Sequence, residues 1–222
     1  MIAVAIDGPA GAGKSTLSRK LAQRLGFIYI DTGALYRTVG LKFLEKGIDT
    51  SLECDIEAIL NETKVEIKFV NGEQRVFLNG DDVSDKIRTP EASMMASAVS
   101  AKPPVRAFLL DIQRDLAKQN NAIMDGRDIG TVVLPDAQIK IFLTASPEVR
   151  ARRRYLELTE KGQTVTFEEV YEDMKVRDYN DSHRDIAPLK PAEDSVIVDT
   201  SEYDFEESLT ALYNVIKEKM NG

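Results

Sequence analysis

Gly8-Pro9-Ala10-Gly11-Ala12-Gly13-Lys14-Ser15 is a glycine-rich octet ending in Lys-Ser, the spacing of a loop that cradles phosphates. The glycines let the backbone fold tightly, so that its N–H groups converge on an anion. The helix expected to open at Lys14 adds partial positive charge at its start. In that setting Lys14 is a mobile cation for the outer phosphates, and the Ser15 hydroxyl is a ligand for Mg²⁺. Thr16 adds a contact to the α-phosphate. The expected partners are therefore ATP and Mg²⁺. A guanine-nucleotide switch would carry Asn-Lys-x-Asp and Asp-x-x-Gly strings, and neither occurs. The short chain, with its phosphate loop near residue 8, favours a small-metabolite kinase over a mechanical ATPase.

Three more stretches concentrate charge. Asp31-Thr32-Gly33-Ala34-Leu35-Tyr36-Arg37 and Asp125-Gly126-Arg127-Asp128-Ile129-Gly130-Thr131 each follow an apolar run that reads as a strand. In a parallel sheet both would end on the ligand-binding edge beside the phosphate loop. Arg177, Asp181 and Arg184 recur at i, i+4 and i+7, one face of a helix. Arginine forks pair two phosphate oxygens at once, which suits a second, anionic substrate. Spacing alone leaves other readings open. Arg177, Asp181 and Arg184 also fit i,i+4 surface pairs, and Asp31 fits a helix N-cap. Tyr36 fits an amphipathic helix, and Asp125 fits an outer contact to Mg²⁺ through water. In Arg150-Ala-Arg-Arg-Arg154, Arg150 and Arg152 read as solvated face; His183 reads as a bystander.

Taken together, these stretches resemble the bacterial cytidylate kinase family across essentially the whole chain. Thr32 stands where that family usually has serine, and the hydroxyl is kept. The resemblance implies transfer of the γ-phosphoryl group of Mg-ATP to CMP or dCMP. It implies acceptor-phosphate contacts from Tyr36, Arg37, Arg127 and Arg184, and places Thr32 in the same acceptor site. Cytosine would be read by Ser97, Arg106 and Asp128, and the ribose by Arg177 and Asp181. Arg153 and Arg154 would be lid arginines over the ATP phosphates, joining Lys14, Arg127 and Arg184 in catalysis. Related kinases of other nucleoside monophosphates or of shikimate are the near alternatives; a nucleotide-binding module without transfer activity is the distant one.

The elements that must hold these residues alternate, as in a parallel sheet covered on both faces. Strands are expected at 2–6, 27–30, 122–125, 139–143 and 196–199. Helical stripes run through Leu17, Leu21 and Leu25, through Leu35, Val39 and Phe43 ahead of a Gly47 cap, and through Val105, Phe108, Leu109, Ile112 and Leu116. The last stripe is Phe205, Leu209, Leu212, Tyr213 and Ile216. Two alternating runs around Asn71-Gly72 make a β-hairpin, extended by a short strand near Val83. By resemblance the fold is a three-layer α/β phosphate-loop fold with strand order 2-3-1-4-5. Its expected parts are a core (1–31, 104–149, 187–222), an acceptor-binding region (32–103, with the β insert at about 63–100) and a helical lid at about 150–186.

The 222 residues carry a net charge of −8, which argues against nucleic-acid or acidic-membrane partners. One cysteine, Cys54, excludes an internal disulfide framework. The start, Met1-Ile2-Ala3-Val4-Ala5-Ile6, reads as a strand and not as a secretory leader. The expectation is a cytoplasmic monomer.

Overall fold

Val4 and Ile6 point to one side of the first strand and Ala5 to the other, and all three are wholly buried. A strand apolar on both faces belongs in a covered parallel sheet. The computed structural model, which describes residues 1–48 and 56–221, has that sheet; Cys54 lies outside the described residues. Its strands are β1 (Ala3–Asp7), β2 (Ile28–Asp31), β6 (Ala122–Gly126), β7 (Ile139–Thr144) and β8 (Val196–Asp199). They run parallel in the order β2-β6-β1-β7-β8. Numbered within this sheet alone, that is the expected 2-3-1-4-5.

Helices cover both faces. On one side Leu17 and Leu21 of α1 (Lys14–Leu25) and Leu209, Leu212 and Ile216 of α8 (Phe205–Asn221) pack on Val4, Ile6, Ile123 and Ile141. Phe205 does not join them: it is 41% exposed, at the first helical position, a turn ahead of where Leu209 meets the sheet. On the other side α5 (Pro103–Gln119) sets Leu116 and Ala117 against Ala5, Ile30 and Met124. α2 (Thr32–Glu45) ends as expected at Gly47, with Ile48 N–H reaching the Phe43 carbonyl at 3.0 Å.

The hairpin β3 (Val65–Val70) and β4 (Glu73–Leu78) turns at Asn71-Gly72, both at positive φ, and β5 (Asp81–Asp82) adds a third strand just before Val83. Gln74 ties this small sheet to the main one. Its amide accepts from Asp31 N–H at 2.9 Å and donates to the Asp31 carbonyl at 3.2 Å. Two helices were not legible in sequence: α3 (Ile56–Asn61) and α4 (Pro90–Ser100). The buried face of α4 is only Ala92, Ala96 and Val99, too faint a stripe to read. Its small residues instead permit close approach to α2, where a Cβ on Gly40 would lie 3.1 Å from Ala96 N.

α6 (Pro147–Glu160) and α7 (Phe167–His183) pack on each other through Ala151, Val170 and Met174. α7 opens on a capping box between Thr166 and Glu169. Among the described residues, no helix is long and apolar enough to cross a membrane.

Candidate active site

The phosphate loop, residues 8–13, leaves the C-terminal end of β1 and is pressed against its neighbours. A Cβ on Gly8 would lie 1.9 Å from the Leu143 carbonyl oxygen of β7, so only glycine fits. Gly13 adopts the left-handed conformation (φ 85°) that starts α1. Lys14 is buried, and its ammonium donates to the Pro9 carbonyl at 2.7 Å. Burial, and next the Arg127 charge, hold its pKa well below the ordinary lysine value. Ser15 and Thr16 occupy exposed positions on the first turn of α1.

The Ser15 hydroxyl donates to Asp125 Oδ2 at 2.8 Å, and the Tyr29 hydroxyl to Oδ1 at 3.0 Å. Burial and then the Asp31 charge push the Asp125 carboxyl up to about 6. A buried carboxylate beside a serine hydroxyl is an all-oxygen donor pair, the hard set that Mg²⁺ takes from protein while nucleotide phosphates complete its shell. The residues present therefore fit that ion.

β2 and β6 deliver the residues expected on the acceptor side to the same sheet edge. Asp31 caps α2, accepting Ala34 N–H at 2.9 Å, and also pairs with Arg37 at 2.9 Å. Thr32 is buried, and its hydroxyl donates to the Asp125 carbonyl at 2.7 Å. After β6 the chain makes a wide π-type turn, Ile129–Val133, with Leu134 N–H reaching back to the Ile129 carbonyl. Asp128, at its head, is held between two arginines, Arg106 from α5 and Arg184 just past α7 at 3.3 Å. Tyr36 lies under Arg106, its ring centroid 5.9 Å from the guanidinium carbon. Ser97 sits on α4 at a half-buried position.

Arg127 Nε donates to Asp181 Oδ2 at 2.7 Å, so the π-turn and α7 are joined. Arg177, one turn before Asp181, keeps a buried Nε with no partner. Burial first, then Arg127, push its pKa down to about 10; Arg37 and Arg154 act in the same sense. Lys14, Arg37, Arg127, Arg154 and Arg177 thus share one field, partly compensated by Asp181. Such a cluster disfavours itself until anions enter.

Not every expected residue joins it. Arg153 is committed to the loop after β8, donating to the Thr200 carbonyl at 2.8 Å and the Tyr203 carbonyl at 3.2 Å. Arg154 lies within the field, but its guanidinium is turned to Glu157 at 2.8 Å. His183 stacks on Tyr179, outside the cluster. Arg152 is exposed, but Arg150 corrects the solvated-face reading: it is 5% exposed and donates to the Ala10 carbonyl of the phosphate loop at 3.0 Å.

The family model described as cytidylate kinase matches residues 4–218. The chain belongs to the cytidylate kinase family. A curated cytidylate kinase of Caldicellulosiruptor bescii is 52% identical over 223 residues, covering 99% of each chain. That of Caldicellulosiruptor saccharolyticus is 54% identical over 208 residues, 94% of this chain and 92% of its own. A solved structure of an uncharacterized protein from Eubacterium ventriosum overlays with a TM-score of 0.53 at 12% identity, covering 100% of this chain and 99% of its own. That is a likeness of fold.

In this member of the cytidylate kinase family, sequence reasoning passed over Asp7 as well as Arg150. Asp7, the residue before the first loop glycine, accepts Ile129 N–H at 2.8 Å and Gly130 N–H at 2.7 Å. It therefore fastens the turn that carries Asp128 to the strand that carries the phosphate loop. Burial raises its pKa to about 6. A lone aspartate ahead of a glycine gives no periodic signal; only the tertiary contact exposes its part.

Proposed function

We propose that this phosphotransferase of the cytidylate kinase family moves the γ-phosphoryl group of ATP to CMP or dCMP, giving ADP and CDP or dCDP. The observation that carries the reading is Asp128, an acceptor-only carboxylate clamped by Arg106 and Arg184 one residue from Arg127, whose charge reaches Lys14. Cytosine offers an amino donor at N4 and acceptors at N3 and O2. Asp128 accepts from N4, while Arg106 and Ser97 donate to the acceptor edge.

The nucleophile is a phosphate oxygen of CMP. A phosphate monoester loses its second proton near pH 6, so at neutral pH no general base is needed. The difficulty is bringing two anions together in line. Lys14 draws the β- and γ-phosphates into the loop, with its backbone N–H groups as the cradle. Tyr36, Arg37, Arg127 and Arg184 take the acceptor phosphate. Arg177 and Asp181 hold the ribose, and Thr32 supports the acceptor side through Asp125. Each guanidinium offsets charge without a proton transfer, so positioning and electrostatics supply the rate.

Ser15 and Asp125 would hold Mg²⁺ with ATP, and the ion would supply positive charge there to offset that of the phosphates. Arg154 has a single exposed pairing, to Glu157, to give up before it acts on the transferring group. Arg153 reaches a phosphate only by exchanging its bonds to Thr200 and Tyr203. Helices α6 and α7 act as the lid that keeps water from the γ-phosphoryl group. The net charge of −8 argues against nucleic acid or an acidic membrane as partner, the arginine cluster is what suits anionic nucleotides, and the proposed setting is a cytoplasmic monomer.

The test is stoichiometry. With Mg-ATP and CMP, one CDP should appear per ADP, and ADP formation without acceptor should fall to a few per cent of that rate. ADP release indifferent to CMP would leave only a nucleotide-binding ATPase.

A further inference from the structure

Arg150 makes none of the substrate contacts assigned above, yet its side chain is buried and bonded to three separate parts of the fold. Its Nε donates to the Ala145 carbonyl at 2.9 Å and its Nη1 to the Ala10 carbonyl at 3.0 Å. The same Nη1 lies 2.6 Å from Asp178 Oδ2 on α7. The other Asp178 oxygen is buried without a hydrogen-bond partner, so the carboxylate depends on this one pairing. One guanidinium therefore touches the end of β7, the phosphate loop and the lid helix.

A second contact joins the same two parts. A Cβ on Gly11 would lie 2.7 Å from Met174 Cε and 2.9 Å from the Arg150 carbonyl oxygen, which means that Met174 sits directly on the loop. Met174 and Asp178 are one turn apart on α7. The helix thus meets the phosphate loop directly at Met174 and, one turn on, through the Arg150 guanidinium that Asp178 holds. Arg177 and Asp181, which face the arginine cluster, alternate with those points on the same helix.

A buried ion pair is often only structural. Here its geometry does more. The guanidinium is planar and its donors are fixed relative to one another, so the Ala10 carbonyl and Asp178 cannot move independently without stranding a buried charge. We propose that Arg150 is a positioning residue that couples the two substrate sites: it holds the phosphate loop and α7 in one fork, so that filling the loop with ATP sets Arg177 and Asp181 for CMP. This rests on the reading of α7 as a CMP-contacting helix.

The experiment is equilibrium binding of CMP, with and without a saturating non-hydrolysable ATP analogue and Mg²⁺, to the wild type, Asp178→Asn and Arg150→Lys. Asp178 is at the edge of the buried region, its side chain 25% exposed, so the Asn variant keeps the test open where the buried arginine variant fails to fold. In the wild type the analogue should tighten CMP binding by about fivefold or more. In Asp178→Asn that ratio should fall to about one, while the analogue alone binds within about threefold of wild type. In steady state the KM for CMP at saturating ATP should rise more than kcat falls. The double variant should lose no more coupling than Arg150→Lys alone, because the two side chains act as a unit. An unchanged ratio in both variants overturns the proposal, as does a wild type that shows no coupling. A wild type that binds the analogue but no CMP would instead overturn the functional reading on which this one stands.

Discussion

On the proposed reading, Asp128 is an acceptor-only group set to meet a base whose distinguishing mark is a donor. Asparagine in its place keeps the shape but can present an NH₂ group, which suits the O4 carbonyl of uracil as well as a carboxylate suits the N4 amine of cytosine. Asp128→Asn should therefore lower the ratio of kcat/KM for CMP over UMP by about tenfold or more, a shift of the size that one paired base edge supplies. Equal losses for both acceptors would remove Asp128 from base reading. Asp7 makes a different prediction. Its carboxyl titrates near 6 when folded, because burial outweighs two backbone N–H bonds, against an ordinary value of 3.8. A raised acid binds more protons folded than unfolded, so its ionised form costs stability above pH 6 and the cost lifts as pH falls through 6. Asp7→Asn cannot titrate. The difference in Tm, wild type minus Asp7→Asn, should grow more positive from pH 7.5 to pH 5.5, and a flat difference would deny the shift. Both residues also mark what single positions disclose. Asp128 sits in a seven-residue string whose charges are legible on sight. Asp7 and Arg150 act through backbone groups more than a hundred residues away in the chain, which no spacing rule reaches.

At the scale of elements, the glycines of the phosphate loop are fixed by what lies against them. Gly11 combines a φ of +72° with Met174 and the Arg150 carbonyl inside the space a Cβ would need. Gly11→Ala should destabilise the fold by about 1–3 kcal/mol and weaken ATP binding. Adding Met174→Ala should recover only part, because the flexible side chain is then gone but the backbone clash remains. Thermal unfolding and ATP KM measure both, and full recovery in the double variant would show that the backbone contact matters little. Helix stripes with strong apolar residues, such as Leu17-Leu21 and Leu209-Leu212-Ile216, were readable because burial of large side chains leaves a period. The alanine face of α4 was not, since its packing works by close approach at Gly40. Phe205 erred the other way: it is in phase with Leu209, but phase says nothing of where a helix first meets its sheet. The outward reading of Arg150 failed for a related reason, because a run of arginines does not reveal which side a neighbouring helix will cover.

Over the whole molecule, a chain of net charge −8 gathers Lys14, Arg37, Arg127, Arg154 and Arg177 into one field at the sheet edge. Acidic surface and cationic cleft together favour small anions that carry their charge into the site. The parallel sheet brings the ends of β1, β2 and β6 to that edge, so donor loop and acceptor residues meet by topology alone. This much followed from the order of strands and from the charged strings at their ends. The α7–loop joint did not, because it depends on how α7 docks. What the whole arrangement must do is prefer one acceptor. The deciding measurement is initial rates with Mg-ATP and CMP, dCMP, UMP, AMP, GMP or shikimate in parallel. CMP and dCMP should give the highest kcat/KM, with the purine nucleotides and shikimate near background. A purine nucleotide or shikimate ahead of CMP would contradict the cytosine reading of Asp128, Arg106 and Ser97 while leaving the phosphate loop in place.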